Sequence, residues 1–403
     1  MTEPNKTPLD LLQEGSNGDR ALPLRQNRNS SIVSKGKKKV LALFLATFVT
    51  LGVSELCLRL LWHNPFRYES PDQLLKIRIQ HPNTDQIINR SLMNPENPWV
   101  RLRTDARSYI LPSFQYKDPD ATVVFLGGST TECNVVQEDL RFPALVSRLL
   151  TKQGLKVNTL NIARSGNTLH DVLNILLNHV IEDRPDIAVV MEASNDIGVL
   201  QKVKSYQSRM GSPVSILEFA KWSLQIASSE LYLAALVREG ASASTSIEQF
   251  LRTEPKKDWR HDPPPIEQSS VNLYRQRLKA FVHFCRSFDI QPVLMTQPFS
   301  GSTNSLTPNW VDRTPQDQFN SIIRMVGEAE GVPVIDLVSY LQEQVPEWNK
   351  PMEIFYDAIH VTDKGSQVYA QHIAERLLPL ILRKKMSTSL EKLENHKAYL
   401  LNK

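Results

Sequence analysis

Between residues 122 and 382 the chain alternates five short apolar runs with helical segments, and this alternation constrains the fold more than any other feature. The runs are Thr122–Gly127, Val157–Ala163, Asp186–Met191, Gln291–Thr296 and Val332–Leu337. Each is short and continuously apolar, which predicts a strand covered on both faces. Between and after them, helices are predicted at Phe142–Gln153, Thr168–Ile181, Val271–Phe288, Pro315–Glu330 and Thr362–Leu382. Leu169, Val172, Leu173, Leu176 and Leu177 carry helical spacing in the second. Gly154 and Gly331 mark stops, Pro315 and Thr362 mark starts. Such alternation predicts an α/β fold, a three-layer sandwich around a five-stranded parallel sheet, over residues 121–383.

The rest of the chain reads as appendages. Residues 1–39 are polar and Asn-, Ser- and Lys-rich, which predicts a disordered tail. Val40–Trp62 is about long enough to cross a bilayer core, with Glu55 and Arg59 spaced to pair on a helix and Trp62 placed for an interfacial belt. A buried helix of a soluble protein is the plainer reading of such a run. A cleaved export signal suits it less, because the polar lead of 1–39 is much longer than usual. Lys35, Lys37, Lys38 and Lys39 abut the run, so the tail is expected in the cytoplasm and the remainder outside it. Residues 63–120 are Pro- and Asn-rich and predict a stalk that then wraps onto the domain, and 384–403 a C-terminal tail. Residues 199–270 interrupt the strand–helix alternation after the third strand. They read as a helical cap near the ligand-binding edge of the sheet, or equally as a partner-docking element.

A net charge of +4 is too mild to predict nucleic-acid binding. Cys57, Cys133 and Cys285 are odd in number and scattered, so they build neither a disulfide framework nor a zinc site. No His/Asp/Glu spacing resembles a metal site, and no cofactor is called for.

Two stretches carry chemistry. Gly127-Gly128-Ser129-Thr130 ends the first strand, and Asp357-Ala358-Ile359-His360 lies on a loop more than two hundred residues later. A serine hydroxyl is a weak nucleophile and needs a base within hydrogen-bond reach, itself oriented by an acid. Ser129, His360 and Asp357 supply these three groups in an order that suits an esterase triad on an α/β sheet. Acyl transfer also needs donors aimed at the developing oxyanion. The backbone N–H groups of Ser129 and Gly166 and the side-chain amide of Asn195 are candidates, each following a predicted strand. Each residue also has a plain reading: Ser129 as a helix cap, Gly166 as a turn glycine, Asn195 as an Asx turn. Thr131 stands where a Gly-x-Ser-x-Gly elbow would need glycine, which excludes that motif. Arg101, Arg103 and Arg107 read as a solvated charged face or as a site for an acidic substrate. His170 and His179 read as surface or structural, and Cys133 as packing beside Ser129.

Four blocks in this order, Gly127-Gly128-Ser129-Thr130, Gly166, Ser194-Asn195-Asp196 and Asp357-Ala358-Ile359-His360, resemble the SGNH (GDSL-like) hydrolase superfamily over about residues 120–383. Two positions depart from its usual pattern: Gly-Gly-Ser replaces Gly-Asp-Ser, and Ala193-Ser194 replaces the glycine before Asn-Asp. The resemblance implies a flavodoxin-like sheet, Ser129 as nucleophile, His360 as base, Asp357 as its orienter, and Ser129, Gly166 and Asn195 as the oxyanion hole. The architecture also resembles bacterial membrane-anchored members of the superfamily, some of which act on envelope or exported polysaccharides. The expectation is therefore an extracytoplasmic serine esterase, tethered by residues 40–62, that removes or transfers an ester-linked acyl group through an acyl-serine. Its expected substrate is an acylated glycan or small ester, with acetyl on carbohydrate first. The alternative is a silent scaffold of the same fold holding partners in envelope-polymer assembly.

Overall fold

A computed structural model describes residues 29–62, 77–206, 231–236, 266–300, 314–348, 350 and 352–401. It divides into two units, Met1–Trp62 and His63–Lys403. In the first, helix α1 spans Asn29–Leu61. It starts eleven residues before the apolar run, so residues 29–39, expected as disordered tail, are helical. No proline interrupts residues 29–61, and a helix once nucleated extends at little cost. Ala42–Leu61 has a mean hydropathy of 1.7 and none of it is buried within the protein. At about 1.5 Å per residue it matches a bilayer core of about 30 Å. Its polar groups are satisfied along the helix: Arg59 Nε donates to Glu55 at 2.9 Å, and Thr47 and Thr50 donate to carbonyls one turn back.

The second unit opens with an antiparallel hairpin, β1 (Asp85–Asn89) and β2 (Trp99–Arg103). It continues through β3 (Ala121–Gly127), the single turn α2 (Ser129–Glu132), α3 (Phe142–Lys152), β4 (Val157–Asn161), α4 (Leu169–Asn178), β5 (Ile187–Met191) and α5 (Ser194–Val203). After the insertion come α6 (Gln268–Ser287), β6 (Gln291–Met295), α7 (Thr314–Glu330), β7 (Val334–Ile335), α8 (Leu337–Gln344) and α9 (Asp363–Leu401). The five expected strands form one parallel sheet in the order β4-β3-β5-β6-β7.

Side chains alternate across the sheet as strand geometry requires. Val124, Leu126, Ala188 and Val190 face α4, α6 and α7, while Val123, Phe125, Ile187 and Val189 face α3, α8 and α9. Each fully buried Leu or Phe in these two layers contributes about 1.5–3 kcal/mol. The chain leaves β3 toward β4 and leaves β5 toward β6. The carboxyl ends of β3 and β5 therefore flank the crevice where open α/β sheets bind ligands.

Two expectations need correction. Residues 77–120 form no stalk and only wrap onto the domain: Val100, Leu102, Tyr109 and Ile110 are buried, and the Ile110 N–H donates to Asn161 O at 2.8 Å, covering the exposed edge of β4. Residues 63–76 lie outside the described residues. The tail expected at 384–403 instead continues α9 to Leu401, because residues 383–401 contain no Gly or Pro to stop a helix. Lys384 and Lys385 pair with Asp186 and Asp120, each at 3.1 Å. Most of the 199–270 insertion also lies outside the described residues. Of its polar and aromatic residues, Tyr206 is buried and donates to Asp196, and Lys204 pairs with Glu267.

Asp336 joins four elements. It follows β7, caps α8 through Ser339, accepts two bonds from Arg324 of α7 at 2.7 and 2.9 Å, and accepts from Thr296 beyond β6 at 3.0 Å. Burial opposes its charge, but Arg324 and Ser339 outweigh it and hold the carboxyl at about 2. A carboxyl depressed in this way stabilises the fold above its unfolded value, near 4, and loses that contribution as pH falls through about 2. Asp336→Asn is therefore expected to lower stability at pH 7 by about 1–2 kcal/mol, the half-exposed pair being partly screened. In urea titrations at successive pH values the deficit should shrink below about pH 4.

Candidate active site

Strand β3 delivers Gly127 opposite Met191 of β5. The next residues, Gly128 and Glu192, therefore meet across the crevice. A Cβ on Gly128 would run into Glu192 Oε2 and Asn195 Nδ2, so only glycine fits. Ser129 then begins α2, a single turn that Cys133 ends in the left-handed conformation. Cys133 is buried, its thiol donates to Thr130 O at 3.2 Å, and burial pushes its pKa up to about 12. It packs and does not react.

The Asp357–His360 loop folds back on itself. The Tyr356 N–H donates to His360 O at 3.0 Å, and the Ser300 N–H donates to Ala358 O at 2.8 Å, tying the loop to the segment after β6. Tyr356 stacks on the His360 ring at 5.5 Å. Across 231 residues of sequence, His360 Nε2 lies 2.7 Å from Ser129 Oγ. Its Nδ1 lies 2.6 Å from Asp357 Oδ2. A carboxylate can only accept, so it places the ring proton on Nδ1 and leaves the Nε2 lone pair facing the hydroxyl. Asp357 Oδ1 accepts the N–H groups of Ile359 and His360 at 2.8 and 2.7 Å, which locks the carboxylate in place. The His360 side chain remains 19% exposed.

Electrostatics follow from these contacts. Burial opposes the charge on Asp357, but His360 and the two backbone donors outweigh it and hold the carboxyl below its ordinary value. Burial disfavours a charged His360, yet Asp357 outweighs that and raises the imidazole above its ordinary value. The group is a hydroxyl, a neutral base and an anion in sequence, the arrangement that can deprotonate a serine and hold the imidazolium formed.

Of the expected oxyanion donors, the Asn195 amide lies against Gly128, next to Ser129. No described residue accepts the backbone N–H of Ser129. Gly166 sits at φ +77°, where a side chain is strained. Asn195 Nδ2 lies beside Gly128 and donates to Asn167 O at 2.8 Å, with Glu192 Oε2 at 3.4 Å. The amide is thus held by its neighbours as well as placed near the serine. Asp196 is buried behind this wall, accepting the N–H of Leu169 at 3.0 Å, and burial pushes it up to about 7.

Sequence reasoning passed over several residues. Glu192 accepts the Asn195 N–H at 2.9 Å, and burial beside Asp196 raises its carboxyl well above its ordinary value. Gln297 bridges the serine turn to the Asn195 block: Nε2 donates to Thr130 Oγ1 at 2.9 Å, and Oε1 accepts the Ala193 and Ser194 N–H groups at 2.8 Å. Glu132, which ends the single turn begun by Ser129, is buried and accepts the Ser165 N–H at 2.9 Å. Nothing in one sequence marks the Gln297 and Glu132 contacts, because they join residues far apart in the chain; the Glu192–Asn195 bond is local, but its carboxyl carried no motif signal. The arginines before β3 are surface pairs: Arg101 with Asp85, Arg103 with Glu138, and Arg107 with Asp183. His170 is exposed against Tyr206, and His179 Nε2 meets Arg107 O at 2.9 Å.

Residues 125–368 match the model of the GDSL-like Lipase/Acylhydrolase family. No curated protein matches the chain. Among solved structures it is similar to a lipase/acylhydrolase from Enterococcus faecalis, at 18% identity over 64% of this chain and 95% of that one, with a TM-score of 0.39. It is also similar to Axe2, an acetylxylan esterase from Geobacillus stearothermophilus, at 15% identity over 64% and 94%, TM-score 0.39. The acetyl xylan esterase AlAXEase gives 15% over 62% and 97%, TM-score 0.39. With identities below a fifth and TM-scores near 0.4, none of these structures tells what this chain acts on.

A base must be neutral to take a proton, so kcat/KM for a short ester should fall as pH drops through the raised His360 value. The midpoint of that acid limb is expected above about 6.5, the ordinary histidine value. Asp357→Asn removes the anion that raises it. The midpoint should move down, with kcat lower by up to about 10⁴.

Proposed function

The chain belongs to the GDSL-like lipase/acylhydrolase family and is an ester hydrolase of that fold; from this premise we propose that it is a membrane-tethered serine esterase removing acetyl or similarly short acyl groups from carbohydrate outside the cytoplasm. The observation that carries the reading is the hydrogen-bonded line from Ser129 Oγ through His360 to Asp357, at 2.7 and 2.6 Å.

In the proposed mechanism Ser129 Oγ attacks the ester carbonyl carbon as its proton moves to His360 Nε2. The carbonyl π pair goes to oxygen, and the oxyanion rests on the N–H groups of Ser129 and Gly166 and the amide of Asn195. Collapse expels the alcohol, which takes the proton from His360. Water, deprotonated by the same ring, then attacks the acyl-serine and releases the acid. Asp357 stays ionised throughout and stabilises the imidazolium.

The short acyl group is supported by what surrounds the serine. Gly128 is walled by Glu192 and Asn195, with Asn167 behind them, and Glu132 follows on the same turn. Buried polar groups of this kind are poor company for a long alkyl chain and good company for a small, oxygen-rich substrate. The tether is supported by the uncovered apolar length of Ala42–Leu61, and its orientation by the lysines that precede it. An enzyme so tethered reaches acyl groups already installed on glycans near the membrane.

Ser129→Ala is expected to lower turnover of p-nitrophenyl acetate by about 10⁴–10⁶ with an unchanged circular dichroism spectrum. A fluorophosphonate should label the wild type at this residue and leave the variant unlabelled. Across p-nitrophenyl esters from acetate to dodecanoate, kcat/KM should fall with chain length, and acetate should be released from an acetylated glycan. A rate that climbs with chain length, with no acetate released, points instead to a lipid esterase.

A further inference from the structure

The Gly166 turn is held from outside the sheet by residues 77–80, which lie between α1 and β1 in the chain. Arg78 Nη1 donates to Gly166 O at 2.9 Å, and Nη2 donates to Ser165 O at 3.2 Å. One guanidinium therefore spans the two carbonyls on either side of the Gly166 Cα. The contact is reciprocal: Asn167 Nδ2 donates to Arg78 O at 3.1 Å, and Arg164 Nη1 donates to Ile79 O at 2.6 Å. Gln80 donates to Glu132, whose other oxygen accepts the Ser165 N–H. Ser165 is thus gripped at both ends, its N–H by Glu132 and its carbonyl by Arg78. Asp171, in the first turn of α4, lies 3.8 Å from the same guanidinium and helps to place it.

We propose that Arg78 is a positioning residue for ester hydrolysis, acting through the Ser165–Gly166 peptide. The inference rests on the reading of the Gly166 N–H as an oxyanion donor. A trans peptide points its carbonyl and its N–H in opposite directions. A cation bound to the Ser165 carbonyl fixes the plane of that peptide and so fixes where the Gly166 N–H points. It also draws electron density toward the carbonyl, which makes the N–H a stronger donor, as linked hydrogen bonds polarise one another. Glycine has no side chain to restrain its own backbone, so at φ +77° the restraint has to come from outside. Arg78 supplies it and closes over the turn: a Cβ on Gly166 would meet Nη2 at 3.2 Å. The segment preceding the domain is in this way part of the catalytic apparatus, although it brings no group to the reacting atoms.

The test uses the full-length protein in detergent, with p-nitrophenyl acetate as substrate. Arg78→Ala is expected to lower kcat by about 10–100-fold, part of the 10²–10³ that one oxyanion donor is worth, with KM within about twofold of wild type. The acid limb of the pH profile should not move, because the Ser129–His360–Asp357 line is untouched. Millimolar guanidinium chloride should restore part of the lost rate by occupying the vacated place. Arg78→Lys keeps the charge without the two-pronged reach and should fall between alanine and arginine. It carries the test alone if the alanine variant does not fold, a lysine variant as fast as wild type then overturning the proposal. Arg101→Ala, which breaks an exposed pair with Asp85 elsewhere in the same wrapping segment, should leave kcat unchanged. An Arg78→Ala variant as fast as wild type overturns the inference, as does a loss confined to KM, which would make Arg78 a substrate contact. An inactive wild type would instead remove the esterase reading, and this inference with it.

Discussion

The site depends on the parallel pairing of β3 with β5. That register sets Gly127 opposite Met191, and it therefore brings Gly128 against Glu192 and Asn195 one residue later. The approach is close enough to exclude any side chain at position 128. It also aligns the serine turn with the Asn195 block, and Gln297 then stitches the two together. A one-residue slip in this pairing would turn every core side chain of β3 to the wrong layer and carry Ser129 out of reach of His360. Fold and chemistry are thus held by the same constraint, and a change that loosened the β3–β5 core would be felt first at the serine.

The second organising element is a set of buried carboxyls with different partners. Glu132, Glu192, Asp196 and Asp357 all lie within or behind the site and are all buried. Burial raises Glu132, Glu192 and Asp196. Only Asp357 is held below its ordinary value, because it alone faces an imidazole and two convergent N–H groups. That contrast separates their roles. Asp357 is the anion able to support an imidazolium, whereas the others bind neighbouring N–H and O–H groups and shape the walls. Environment, and not residue type, decides which acid can serve the base.

Much of this was legible in the residues. Five continuous apolar runs announced five buried strands, and the run boundaries match to within a few residues, because strands covered on both faces leave a signal that solvent cannot dilute. Ser129, Asp357 and His360 were visible because a nucleophile, base and acid sit beside glycine and loop signals, and the structure brings all three within hydrogen-bond distance. What escaped has a common cause. α5 was lost because Ser194–Val203 has mixed polarity and follows directly on a motif read as a turn. The β1–β2 hairpin was hidden because no residue of β1 is buried and β2 is only five residues long, too short for its alternation to stand out. Gln297 and Arg78 act through partners distant in sequence, and pairing of that kind writes no local pattern. Tyr206 is likewise unmarked in the sequence, and its hydroxyl turns inward to Asp196, a buried carboxyl that needed a partner.

The central claim is that Ser129 carries the acyl group between two half-reactions. Rapid acid quench of the full-length protein during turnover of p-nitrophenyl acetate, followed by peptide mass spectrometry, addresses it directly. One acetyl group, on Ser129, is expected to accumulate in the pre-steady state and to be absent from the Ser129→Ala protein. Steady release of acetate with no acetyl on Ser129 at any quench time, and with Ser129→Ala as fast as wild type, would contradict it.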